Sequence, residues 1–259
     1  MNGMALAARQ VGYENKAFWR NPAAAFFTFA FPLLFLVIFT TIFGDDTSTL
    51  PTGQEVSNPT YYTATILAFS VITACYTNIA MTVTIARDGG VLKRVRGTPL
   101  PGWSYLLGKV LHSIVVMALL VAIVCAFGRI FYDVGLPTRS LPAFLVTLAV
   151  GAATFCALGL AFTAVIPNAE AAPAVVNASI LPLLFVSGVF IPTDDGPAWL
   201  RALANIFPVR HFVDALTESF IPPPDNRAGW LPGHLAVVAV WGVAGLLLAA
   251  RYFSWEPRR

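Results

Sequence analysis

Long uncharged blocks alternate with short polar ones along most of the chain. No Asp, Glu, Lys or Arg occurs in 21–44, 56–86, 110–128, 140–166, 171–193 or 228–250. A helix needs roughly 20 residues to cross a hydrocarbon core of about 30 Å, and each block supplies close to that. FFTFAFPLLFLVIF lacks the two-residue alternation of a membrane β-strand. Lipid offers no partners for open backbone groups, so each block must pair its own amides as a helix. The pattern predicts an all-α polytopic membrane protein. It forms one transmembrane domain over 1–259, with six spans at 23–43, 60–84, 106–128, 141–166, 171–191 and 232–251. The first block is longer than the apolar core of a signal peptide and is read as a retained span.

The connecting segments carry their own patterns. Within 1–22, ALAARQVGYENKAFWRNP mixes apolar, basic and aromatic residues. That suits an interfacial helix with Phe18 and Trp19 at headgroup depth and Lys16 and Arg20 reaching water; a disordered tail is the alternative. PNAE at 167–170 makes the fourth and fifth spans a tight hairpin. Pro32 and Pro182 fall inside spans and should kink them. The long 192–231 segment holds WLRALANIF and HFVDALTESF, amphipathic stretches too short to span and too apolar for a free loop. They read as broken re-entrant helices capping the outer end, where irregular backbone needs shelter by protein.

Composition supports the membrane reading, because 11% charged residues is less than half the usual share of about 25%. The Lys and Arg distribution orients the spans. Both termini and the 85–105 and 167–170 loops share one side, which holds eleven basic residues against five on the other. Nine of the thirteen acids, including Asp45, Asp46, Asp194 and Asp195, lie on the poorer side. Both termini are therefore expected in the cytoplasm, and the net charge of +3 reports topology, with no nucleic-acid partner expected. Cys75, Cys125 and Cys156 all fall in spans and read as small buried hydrophobes. His112, His211 and His234 show no ligand spacing.

RDGGVLKRVRGTPLPGW, at 87–103, interrupts the apolar pattern between the second and third spans. Asp88 can cap a helix start, and Gly97 before Thr98-Pro99 can end one. At 100° per residue, Val91, Leu92 and Val95 share one arc and the basic residues take the rest. The segment reads either as a basic loop that fixes topology and touches anionic lipid, or as a short docking helix over 87–96. GWSYLLGKV at 102–110 imitates a phosphate-binding loop, but it has five residues between its glycines and Val110 where a hydroxyl is needed. No nucleotide site is expected in this chain.

RDGGVLKRVRGTPLPGWSYLLGK resembles the loop between the second and third spans of ABC-2 type exporter permeases. The matching residues are Asp88, Gly90, Leu92, Arg94, Thr98-Pro99-Leu100 and Leu106-Leu107-Gly108-Lys109. The wording RGTPLP-W is most similar to the daunorubicin-resistance permease branch. The resemblance implies a half-transporter of the plasma (inner) membrane that pairs with a second permease subunit, as homodimer or heterodimer. It would dock on separate ABC ATPase subunits that hold the ATP and magnesium, this chain binding no cofactor. The 87–96 helix would be the coupling helix, with Arg87, Asp88, Lys93, Arg94 and Arg96 as polar contacts and Val91, Leu92 and Val95 packing in the partner's groove. The N-terminal segment would be an elbow helix, and the second and fifth spans would line a substrate route at the dimer interface.

Polar residues inside spans are the route candidates: Thr73, Thr77 and Asn78 in the second span, Asn177, Ser179 and Ser187 in the fifth. The alternatives are back-bonding to the helix for the hydroxyls and helix–helix contacts for the asparagines. Phe26, Phe27, Phe29 and Phe31 read as lipid-facing. The leading expectation is an ATP-driven exporter of a hydrophobic or amphipathic compound, such as a drug, an antibiotic or a lipid-like molecule, working by alternating access. Export of a lipid-linked polysaccharide or glycolipid is the alternative within transport. A membrane-embedded enzyme would need a nucleophile–base pair or metal cluster that the spans do not spell out; an assembly factor would not need the basic helix.

Overall fold

A computed structural model describes residues 3–44, 46–49, 54–190, 197–222, 225 and 228–256. The expected charge positions Asp45, Asp194, Asp195, Arg227, Arg258 and Arg259, and the first part of the 192–231 segment, lie outside the described residues. The chain begins with α1 (Gly3–Trp19) and α2 (Pro22–Phe43). A small antiparallel hairpin, β1 (Thr47–Thr49) and β2 (Glu55–Ser57), follows with Ser48 opposite Val56. Next come α3 (Asn58–Ile72), a π-helical turn at Thr73–Thr77 and α4 (Asn78–Asp88), which form one 31-residue rod. The remaining helices are α5 (Val91–Arg96), α6 (Gly102–Tyr132), α7 (Leu141–Phe162), α8 (Ala172–Val186), α9 (Ala198–Ala204), α10 (Pro208–Phe220) and α11 (Pro232–Tyr252).

Among the described residues, five helical rods are long and apolar enough to cross a membrane: α2, α3–α4, α6, α7 and α11. They cover the first, second, third, fourth and sixth expected spans. The fifth, expected over 171–191, is helical only over the 15 residues Ala172–Val186, about 22 Å at 1.5 Å per residue. Ser187 ends it, and Gly188 follows at φ +78°, a conformation that stops an α-helix. The β1–β2 hairpin was not legible in the sequence.

The α3–α4 rod is the centre of the bundle. Every residue from Tyr61 to Ile72 is buried, while α2 and α11 are largely exposed. α2 and α6 pack on α3, and α7 and α8 pack on α4. α2 joins through an aromatic ladder in which Phe35 and Phe39 meet Tyr62, Phe69 and Phe190. Phe26, Phe27 and Phe31 are exposed on its opposite side, as the pattern predicts for lipid-facing positions; Phe29 instead packs on Phe18 and Trp19. α10 folds back into the bundle against α3, α7, α8 and α11, and Phe212 packs on Phe155. Its Asp214 and Glu218 bring carboxylates within the bundle that none of the expected spans contained.

The two ends of the bundle differ. At one end lie α1, α5, the α7–α8 turn, the start of α6 and the end of α11, where Trp255 covers Gly102. The other end holds the hairpin, the start of α7 and the end of α10. There Tyr61 donates its hydroxyl to Gly188 O at 2.8 Å, and Ser140 Oγ donates to Ser219 O at 2.6 Å.

Candidate docking and substrate sites

The docking segment is built differently from its sequence pattern. Arg87 and Asp88 form the last turn of α4, and Gly89-Gly90 breaks the rod before the six-residue α5. Gly90 sits at φ +70°, a left-handed conformation that costs a residue with Cβ about 1–2 kcal/mol. Asp88 therefore does not cap α5, which has no side-chain cap. Its carboxylate instead accepts from Ala169 N at 2.6 Å. Gly97 does end α5, and Thr98 Oγ1 donates to Val95 O at 2.7 Å.

Arg87 is 1% exposed. Its guanidinium donates to Thr163 O at 2.8 Å, Ile166 O at 2.9 Å and Pro167 O at 3.3 Å, and pairs with Asp88 at 3.4 Å. A helix leaves its last four carbonyls without intrahelical donors, and α7 ends at Phe162. The backbone amides of Thr163, Ala164 and Val165 answer those carbonyls, and Arg87 takes the next ones, on Thr163 and in the turn at Ile166 and Pro167. Asn168 Oδ1 accepts from Ala171 N at 2.8 Å and closes the α7–α8 turn. Together Arg87 and Asp88 clamp the end of α4 to that turn.

Of the eight residues in 87–96 expected to meet a partner, this chain itself engages several. Leu92 is fully buried in this chain's own core, and Val95 packs on it. Val91 is half-buried, while Lys93, Arg94 and Arg96 are exposed. The apolar stripe found its surface within the chain, which aims the basic face outward. Leu92 and Arg87 are buried and Asp88 half-buried against this chain's own α7–α8 turn and core, because sequence periodicity gives the faces of a helix but not what covers them.

α1 lies along the first half of α6. Glu14 Oε2 pairs with Lys109 Nζ at 2.9 Å, and Gln10 donates to Glu14 Oε1 at 2.9 Å. Gly108 faces Gln10 where a Cβ would collide, so the Gly-Lys of the phosphate-loop lookalike is the seat of α1. Phe18 packs edge-on against His112.

The route candidates divide. Thr73 back-bonds to Phe69 O at 2.9 Å, and Asn78 donates to Ser113 Oγ on α6 at 3.2 Å. Thr77 Oγ1 and Ser187 Oγ are buried without a hydrogen-bond partner among the described residues. Asn177 is exposed on α8. Ser179 alone meets the second rod: its Oγ is 2.8 Å from the Tyr76 hydroxyl. Tyr76 was missed in the sequence, although a phenol in mid-span always needs a partner. Both residues line a cavity of about 590 Å³.

Thr73, Tyr76 and Thr77 lie in the π-helical turn, a feature that collects at functional sites. Gly159 of α7 packs against this turn, and a Cβ there would lie 2.8 Å from Tyr76 O. A second surprise is a histidine pair: His211 of α10 and His234 of α11 bring their Nδ1 atoms to 3.2 Å, with Asp214 Oδ2 3.6 Å from His234.

Uncharged rods, a helix resting on the bundle end and a clamped basic segment between the second and third rods define a polytopic membrane protein of the permease kind. The chain belongs to the ABC-2 type transporter family, whose model matches residues 10–221. It is 26% identical over 174 residues to YbhR of Escherichia coli K12, described as a probable multidrug ABC transporter permease, covering 66% of this chain and 47% of that protein. YbhS of the same organism, with the same description, is 26% identical over 190 residues, covering 72% and 47%. DrrB1 of Streptomyces coeruleorubidus, a daunorubicin resistance ABC transporter permease protein, is 28% identical over 196 residues, covering 72% and 65%. The chain spans about half the length of the first two relatives.

Proposed function

We propose that this chain is the membrane subunit of an ATP-driven exporter that moves a hydrophobic or amphipathic compound out of the cytoplasm. The observation that carries the reading is the clamped α4–α5 junction within a chain of the ABC-2 type transporter family. α5 turns Lys93, Arg94 and Arg96 outward, while Arg87 and Asp88 tie its root to the α7–α8 turn. A push on α5 is thereby delivered to three rods at once. A separate ABC ATPase supplies that push by closing on ATP, and a second permease subunit completes the route. Alternating access follows when the α4, α7 and α8 ends move together. The basic end of the bundle, with both termini, faces the cytoplasm of a plasma (inner) membrane. Names of the relatives, multidrug and daunorubicin resistance permeases, support a drug-like or antibiotic cargo over a polysaccharide.

The test is a triple charge reversal, Lys93→Glu with Arg94→Glu and Arg96→Glu. All three side chains are exposed, so thermal stability should hold. Co-purification of the cognate ATPase and ATP-dependent drug uptake into inside-out vesicles should both fall at least tenfold. Retention of both at the wild-type level would refute docking through α5.

A further inference from the structure

The cavity beside the π-helical turn has the chemistry of a selective binding site within one subunit. It lies between α8 and α11, floored by α7 and closed at one end by the start of α10. Its volume of about 590 Å³ falls in the range of small-molecule sites, roughly 300–1,000 Å³. Phe155, Phe162, Phe207 and Trp241 supply aromatic walls. Exposed Val165, Leu248 and Tyr252 are also among its lining, so the cavity opens at the surface of the subunit between α8 and α11. A larger groove of about 890 Å³ lies between α6, α7 and α11, with the indoles of Trp103 and Trp255 among its lining; its Thr154 Oγ1 already donates to Val238 O.

Proton counting in the smaller cavity is more informative. Ser179 Oγ donates to Val176 O at 2.6 Å, which uses its one proton. The 2.8 Å contact with Tyr76 is then a donation from the phenol to Ser179 Oγ. Trp241 Nε1 is likewise committed, to Ile206 O at 3.0 Å. What remains open to an occupant is acceptor capacity only: the Tyr76 oxygen, to which nothing donates among the described residues, and the second lone pair of Ser179 Oγ. Among the described residues no charged side chain lines the cavity, so an ion there would lose its hydration without a counter-charge.

We propose that this cavity binds a neutral, largely hydrophobic molecule that donates one hydrogen bond, through a hydroxyl or N–H, to the Tyr76–Ser179 pair. The molecule enters sideways from the lipid between α8 and α11. This deepens the exporter reading and rests on it only in calling the occupant a substrate.

The experiment uses the full chain in lipid nanodiscs without ATPase. The probes are a diazirine-bearing steroid alcohol and its ketone, which matches it in size but cannot donate. Saturable photolabelling should map to peptides containing Leu183 and Trp241. The alcohol should label at a concentration roughly three- to tenfold below the ketone, the worth of one neutral hydrogen bond. Tyr76→Phe combined with Ser179→Ala should abolish that preference while leaving ketone labelling unchanged, which also shows that the cavity is intact. Ala161→Trp, which fills the cavity, should remove labelling by both. Equal labelling of the wild-type chain by alcohol and ketone, a preference that survives the Tyr76→Phe/Ser179→Ala pair, or labels mapping elsewhere would each overturn the proposal. Absence of the preference in the wild-type chain beside intact ATP-driven export rejects the pocket and keeps the exporter. Selective labelling without any export does the reverse.

Discussion

Replacing Arg87 by Met removes the clamp while keeping most of the side-chain volume. Two of its bonds, to Thr163 O at 2.8 Å and Ile166 O at 2.9 Å, have good length; the one to Pro167 O at 3.3 Å is weak. Hydrogen bonds to a charged group contribute about 1.5–3 kcal/mol each, so the two good ones total about 3–6 kcal/mol. Burying the guanidinium costs part of this, because desolvation opposes every buried charge. Water reaching the freed carbonyls at this end of the bundle recovers another part. The expected net loss is about 2–4 kcal/mol. Denaturant titration of the purified subunit in detergent micelles measures it directly. Arg87→Lys should lose about half as much, because an ammonium cannot span both carbonyls in one plane. Asp88→Asn should be partly non-additive with Arg87→Met, since the two side chains touch. A loss below about 0.5 kcal/mol for Arg87→Met would show that the buried bonds do not hold α4 to the α7–α8 turn. The mechanical link proposed for export would then have no anchor.

Other perturbations reach separate parts of the structure. Gly90→Ala should cost about 1–2 kcal/mol, the strain of a left-handed alanine, with no steric contribution because nothing lies within 4 Å of the added Cβ; the same titration checks it. Gly159→Ala should cost about 1–3 kcal/mol through overpacking, since its Cβ meets Tyr76 O at 2.8 Å, and it should also weaken probe labelling of the neighbouring cavity. Lys109→Met should loosen α1 by leaving Glu14 unpaired, seen as faster proteolysis within residues 3–19; adding Glu14→Gln should restore much of the protection, because no lone charge then remains.

Several elements were readable because each depended on a local rule. The uncharged blocks marked five rods to within a few residues, because lipid penalises any charge within a span. PNAE gave the tight turn, since Asn168 can accept from Ala171 within four residues of chain. The amphipathic stretches after the fifth block were recognised as too short to cross, and the second of them lies in the 13-residue α10, packed against α3, α7, α8 and α11. The shortness of α8 was not readable, because the apolar run continues through Val189 and Phe190 while the backbone turns at Gly188. The π-helical turn was also hidden: TACYT contains nothing that departs from an ordinary helix.

The sequence alone determined that this protein lives in lipid, how its rods are divided and where a basic segment interrupts them. Hydropathy, charge and turn chemistry act within a few residues, and that is the range a pattern can report. Only the tertiary structure decided what each face meets. It turned Arg87 and Leu92 inward, joined Glu14 to Lys109 across 95 positions and set Tyr76 against Ser179 across 103. Those pairings arise from the packing of distant rods, where a buried polar group must find whichever partner the fold brings near.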